Sequence, residues 1–318
     1  LALSDAAFLS GLSTGRFAFS GTTGTPQITN NATINAGAGG VGFVGPVLFN
    51  RGDIVASGGN IGFGAATSVT LDYFGDGLTQ VTINAPAAVD SGIVQTPGAS
   101  MTADGGRILL RSAATGGNRG GAIYAGGSLR AQTLNNVNGR VELTSAGGPV
   151  MLGAPGNFSD ANTPFTTGTI DVTGPGNQTG GSVLLQGNGV SLVNDDDTPT
   201  SPSDPESAGS RIDASGGAGG GSVDIQSTAG ITLLGRSAIV ADGIDVGDGG
   251  SLRLLATGNV QVQGFLSAVA GKGGGDGGSI ALASSAGDVL LAEVVDARGS
   301  ASGNGGSVQL LAPGGFVG

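Results

Sequence analysis

A chain of 318 residues with no His and no Cys carries 66 Gly, 4% aromatic residues and a formal net charge of −11. Without imidazole or thiol there is no Ser-His-Asp site, no thiol nucleophile and no set of the usual zinc ligands, and 12 Lys and Arg against 23 Asp and Glu form no basic stripe for nucleic acid. The glycine lacks the period of collagen, aliphatic residues recur too regularly for a disordered chain, and no run reaches the roughly 18 apolar residues of a membrane-spanning helix.

Leu1 to Gly21 is the least repetitive stretch, with a short helical turn expected after Ser4 and a strand at Arg16 to Ser20. It has neither the basic start nor the long apolar middle of a signal peptide. From Ile28 a period emerges: Ile34-Asn-Ala36 matches Ile54-Val-Ala56 at an offset of 20. A unit of about 19 to 20 residues is close to the minimum for three strands and three turns, one coil of a parallel β-helix. Val69 to Phe74 and Leu78 to Ile83 then flank Gly75-Asp76-Gly77, which predicts an antiparallel hairpin over 69–83 standing outside the coils.

Beyond Pro86, glycine pairs open at Gly105-Gly106, Gly126-Gly127 and Gly147-Gly148, each 21 residues after the last, and are expected to start three successive coils. Gly180-Gly181 and Gly220-Gly221 follow after 33 and 40 residues. The excess before Gly220 is the Pro-rich, acidic segment 194–207, expected to loop out. From Gly220-Gly221-Ser222-Val223 the motif returns at Gly249, Gly277 and Gly305, in steps of 29, 28 and 28 residues, the mark of a solenoid. These late coils read as the compact coil with a longer corner. The glycines are expected where a corner needs backbone angles that a Cβ disfavours.

The fold class predicted is therefore all-β, a parallel β-helix of three-strand coils of about 19 to 28 residues. Aliphatic pairs should stack coil on coil. On the first strand these are Val183/Leu185, Val223/Ile225, Leu252/Leu254, Ile280/Leu282 and Val308/Leu310; on the second they are Val190/Leu192, Ile231/Leu233, Val260/Val262 and Val289/Leu291. Each buried Val or Leu contributes roughly 1.5 to 3 kcal/mol, so coils hold only when stacked. Some ten coils at about 4.8 Å each predict a rod of about 50 Å.

A third strand recurs as Ile34-Asn-Ala36, Met101-Thr-Ala103, Ile170-Asp-Val172, Ile212-Asp-Ala214, Ile239-Val-Ala241, Leu266-Ser-Ala268 and Val295-Asp-Ala297, with its middle residue facing solvent. Asp171, Asp213 and Asp296 could line an acidic catalytic face. However, Val240 and Ser267 separate Asp213 from Asp296 by about three coils, roughly 14 Å, beyond the roughly 5 to 9.5 Å of a glycosidase pair. No catalytic residue and no cofactor site is assigned. Gly271 to Gly278, with Lys272 and Asp276, lacks the Gly-Lys-Ser/Thr of a phosphate loop and the nine-residue calcium repeat, and reads as a corner. Asp195, Asp196 and Asp197 are the weak calcium candidates, through oxygen ligands.

The first 84 residues resemble the latter part of the haemagglutination-activity domain of filamentous-haemagglutinin-type two-partner-secretion exoproteins. The resemblance rests on Leu3-Ser-Asp5-Ala-Ala-Phe8-Leu9, Phe17-Ala-Phe19-Ser-Gly21, the Asn-rich Ile-x-Ala coils, Gly45-Pro46-Val47 with Asn50, and Val69-Thr-Leu71-Asp-Tyr-Phe-Gly75-Asp76-Gly77-Leu78. It implies a right-handed parallel β-helix, with residues 1–84 as a secretion-type domain and 85–318 as a repeat shaft. It also implies export through an outer-membrane transporter of a Gram-negative bacterium, and an adhesive or matrix role at the cell surface toward host or neighbouring cells. The family's amphipathic cap and Asn-Pro-Asn-Gly element belong upstream of Leu1, so a processed or truncated product is expected. A non-enzymatic surface adhesin is the first reading. A fibre subunit that self-associates end to end is the second, and a polysaccharide-cleaving enzyme the third.

Overall fold

The structure, a computed structural model, describes residues 3–21, 26–72, 80–87, 91–116, 119–155, 165–194 and 209–318. Three parallel sheets of nine strands each wind together into a right-handed β-helix. The first sheet runs from Val41–Gly45 to Ser307–Leu311, the second from Gln27–Asn30 to Val289–Leu291, and the third from Ile34–Asn35 to Val295–Asp296. Nine strands make eight steps of about 4.8 Å, roughly 38 Å along the axis. That is shorter than the length expected from ten coils.

The predicted ladders are present in register. Val183, Val223, Leu252, Ile280 and Val308 stack on the first sheet, as do Leu185, Ile225, Leu254, Leu282 and Leu310. Val190, Ile231, Val260 and Val289 stack on the second, and Ile170, Ile212, Ile239, Leu266 and Val295 on the third. Except for Val308, which is exposed on the last strand, their side chains belong to or pack against one apolar core that runs from Val41 to Val289. In the first coils the Phe43 and Phe63 rings stack with centroids 4.7 Å apart. There too the core carries a polar column. Asn30 and Asn50 are register partners, and Asn30 Nδ2 donates to Asn50 Oδ1 at 2.9 Å in a buried contact. Gln95, next in the column, donates to the Ser128 carbonyl at 2.9 Å.

The late glycine pairs have a steric cause, whereas the angular one expected from sequence holds in the earlier pairs, where Gly105, Gly127 and Gly147 have φ of 69°, 72° and 103°. The second glycine's N–H donates across the corner to the carbonyl that ends the third strand: Gly221 to Ala214 at 2.7 Å, Gly250 to Ala241 at 2.6 Å, Gly278 to Ala268 at 2.8 Å and Gly306 to Ala297 at 2.7 Å. In the compact coils the same bond closes Gly39 to Ala36 and Gly59 to Ala56, at 2.9 and 2.8 Å. Long and short corners are thus one device. A Cβ on Gly221, Gly250, Gly278 or Gly306 would run into the carbonyl oxygen of the equivalent glycine one coil back, and none of these four has a positive φ. Backbone packs on backbone there, and only Gly leaves room.

The 21-residue spacing of Gly105, Gly126 and Gly147 does not mark successive coils. Arg107–Ala113 lies in the first sheet, Gly127–Arg130 in the third and Val150–Leu152 in the second, so the three doublets serve three different corners. Four coils in the middle of the chain accordingly exceed the 19 to 28 expected. Along the first sheet, Val41 to Ile61 is 20 residues, Ile61 to Ile108 is 47, Ile108 to Val141 is 33, Val141 to Val183 is 42 and Val183 to Val223 is 40.

The longest coil contains the predicted hairpin. Ser68–Asp72 and Gln80–Ala85 pair antiparallel, with Val69 opposite Ile83 and Leu71 opposite Val81; the tip at Gly75-Asp76-Gly77 lies outside the described residues. Arg16–Ser20 adds a third strand on the far side of Ser68–Asp72. The turn expected after Ser4 is a ten-residue helix, Asp5–Thr14, capped by the Ser4 hydroxyl and ended by Gly15 at a φ of 71°. Val69, Leu71 and Val81 form a separate small core with Ala66 and Leu109, which lays the hairpin against the outer face of the first sheet.

Candidate functional site

The third-strand aspartates are turn caps. Asp171 Oδ1 accepts the Thr173 N–H at 3.0 Å and hydroxyl at 2.8 Å, while Oδ2 takes Gln132 Nε2 at 2.8 Å. Asp213 accepts the Ser215 N–H at 3.0 Å and Arg211 Nη2 at 2.8 Å. Asp296 accepts the Arg298 N–H at 3.1 Å and is paired with its guanidinium. Each carboxylate folds back onto the amide two residues ahead and starts the corner. Asp171 and Asp213 are register partners, a closer carboxylate pair than the Asp213 and Asp296 weighed from sequence. Burial raises the Asp213 pKa, but the hydrogen bonds from Arg211 and Ser215 outweigh it and hold the group below its ordinary value. A general acid needs the opposite shift. Nor is the middle position of this strand uniformly solvent-facing as expected: Val240 and Ser267 are only 5% and 2% exposed.

Asp195, Asp196 and Asp197 lie outside the described residues. The base of their insert is described: Asn194 and Gly209 form an antiparallel bridge, so the segment leaves and rejoins the coil at one point. Among the described residues no three acidic side chains gather closely enough to hold a metal ion. Gly271 to Gly278 forms a corner, as read from sequence. Gly271 donates to the Gly247 carbonyl at 2.8 Å, the Asp276 N–H donates to Asp248 Oδ1 at 2.8 Å, and the Asn304 N–H donates to Asp276 Oδ1 at 2.7 Å.

A polar surface covers the outward face of the first sheet, beside the docked hairpin. One outward column reads Arg107, Arg140, Ser182, Ser222, Ser251, Ser279 and Ser307. Its five serines and the Gly-Gly corners line an open groove of about 810 Å³. In the next column Asp224 and Arg253 are register partners joined by two bonds of 3.1 and 2.6 Å. Nearer the hairpin, Glu142, its side chain only 7% exposed, is surrounded by three guanidinium groups. Arg107 Nη2 is 3.5 Å away, Arg111 Nη2 3.4 Å and Arg140 Nε 2.5 Å. Arg111 also donates from Nη1 to the Val81 carbonyl at 2.9 Å, tying this cluster to the hairpin.

Sequence reasoning missed the cluster. Its signal was the alternation of Arg107 with Arg111 and of Arg140 with Glu142, but bringing the two segments together needs the 33-residue step that the glycine spacing concealed.

No family model and no curated protein sequence matches this chain. Among solved structures, the crystal structure of the HMW1 secretion domain from Haemophilus influenzae is similar, with a TM-score of 0.68 at 19% sequence identity, over 98% of this chain and 72% of that one. At that identity the likeness is one of fold, and it extends over the hairpin end and the repeat coils alike.

Proposed function

We propose that this chain is a non-enzymatic exoprotein of a Gram-negative cell surface, related to filamentous-haemagglutinin-type proteins, delivered by a two-partner-secretion transporter and acting as an adhesin or matrix component. The observation that carries the reading is the likeness over nearly the whole chain to a domain named for secretion. The non-enzymatic part is supported by Asp171, Asp213 and Asp296, whose carboxylates are occupied by the amides of their own turns.

The test is direct. Purified chain is offered to fixed epithelial and bacterial cells and to a panel of immobilised polysaccharides, with attachment read by fluorescence and release of reducing ends measured in parallel. Saturable attachment with no sugar release is expected. Release of reducing ends, or no attachment to any surface, overturns the proposal.

A further inference from the structure

The cluster around Glu142 holds three positive charges against one negative, on a chain whose net charge is −11. Arg107 and Arg140 are register partners on adjacent strands, an arrangement in which like charges repel. The single carboxylate offsets one of them. The side chains of Arg107, Arg111 and Arg140 are 20%, 36% and 41% exposed, Arg140 the most accessible of the three, although the Nε atoms of Arg111 and Arg140 are themselves buried. Guanidinium is the side chain best shaped to hold a carboxylate through paired N–H donors.

Next to this cluster the sheet changes character. Thr144 is the register partner of Arg111, and Gln186 is the register partner of Thr144. Both line a pocket of about 350 Å³ with Asn188 and Thr228. That volume falls within the range of small-molecule sites. None of its lining side chains is charged; beside the methyl of Ala146 it offers the hydroxyls and amides of Thr144, Ser145, Gln186, Asn188 and Thr228, the donors and acceptors that pair with sugar hydroxyls. Asn188 and Thr228 are already linked at 3.4 Å, which fixes them relative to each other.

We propose that this surface binds an oligosaccharide bearing a uronic acid, with the carboxylate on Arg140 and Arg111 and the neighbouring sugar hydroxyls on Thr144, Gln186 and Asn188. A polyanion such as nucleic acid fits poorly. It needs charge along its whole length, whereas three arginines here give way within one strand spacing to neutral side chains on an acidic protein. The inference rests on the reading of the chain as an exoprotein that meets extracellular glycans.

Purified chain is titrated calorimetrically, at low salt, with the trimers of galacturonate and glucuronate, with the methyl ester of each and with sodium sulfate. One of the free acids is expected to saturate the protein and its ester to bind at least about tenfold more weakly. Arg140→Ala and Gln186→Ala should each weaken the acid by about five- to tenfold, and Arg140→Lys by less. Gln186→Ala leaves the ion cluster untouched, so its effect reads sugar contact even where an arginine variant loses structure. No saturation by either acid below about 10 mM, equal affinity for acid and ester, or no effect of Gln186→Ala overturns the inference. So does sulfate binding that the sugars do not displace. Cell attachment that survives Arg140→Ala and Gln186→Ala removes this site while leaving the adhesin reading standing.

Discussion

Gly250 rests against the carbonyl oxygen of Gly221, the equivalent residue one coil back, with no room for a side chain between them. Gly250→Ala should therefore push two coils apart at a corner where backbone meets backbone, a cost of about 3 kcal/mol or more. Gly235 is the control, because a Cβ there would meet nothing nearer than the Gln263 carbonyl at 3.9 Å. Gly235→Ala should lie within about 0.5 kcal/mol of the parent, or stabilise slightly by restricting the unfolded chain. Urea unfolding followed by circular dichroism separates the two.

The buried polar column of the first coils predicts a second asymmetry. Asn50→Ala leaves Asn30 Nδ2 without the acceptor it now has at 2.9 Å, which should cost about 1 to 3 kcal/mol. The double variant Asn30→Ala/Asn50→Ala removes both partners and should cost less than the two single changes added together. Strict additivity in the same urea experiment would show that the bond contributes nothing of its own.

Asp213 gives the acid limb of stability a particular shape. Its folded pKa is held below the ordinary 3.8, so its contribution is complete above the unfolded value and is lost as pH falls through the folded one. Asp213→Asn removes that dependence, and the urea midpoint of the variant should fall less steeply than the parent's between about pH 4 and pH 2. Near neutral pH the variant should be weaker by no more than about 1 kcal/mol, since the Arg211 partner is half-exposed to solvent. Parallel acid limbs would rule out Asp213 as a source of the acid sensitivity.

Hairpin docking depends on Gly64. A Cβ there would come within 2.5 Å of Val69 Cγ1 and 2.8 Å of Val81 Cγ1. Gly64→Val should lift the hairpin from the first sheet and speed protease cutting at its base by at least about tenfold, while the repeat coils beyond Ser182 keep their unfolding midpoint. Mass mapping of the early fragments tests this, and early cuts in the repeat coils instead would show that the hairpin is coupled to the whole rod.

The late coils were readable in advance because their corners differ by a single residue, so the alternation of Val223/Ile225, Leu252/Leu254 and Ile280/Leu282 falls at constant spacing. Between Gly105 and Val150 the same logic misled. A glycine pair is needed at any corner where coils touch: Cβ atoms on Gly127 and Gly148 would meet the backbone of Ala99 and Ala122 as surely as one on Gly106 would meet that of Gly59. Composition cannot say which corner a doublet serves. The Glu142 cluster was hidden for the related reason that side-chain pairing across strands depends on register, and register there spans an irregular coil. The aspartates were singled out correctly as a column, but only the cross-corner amides reveal that they are occupied.

Coil length and coil rise are independent in this chain. Ile61 to Ile108 uses 47 residues and Val41 to Ile61 uses 20, yet each advances the axis by a single strand spacing. Extra sequence adds girth, not length: it becomes side branches, such as the hairpin, on a shaft whose pitch does not register the addition. Such a shaft can exchange its lateral ornaments one corner at a time without re-indexing a single rung of its interior.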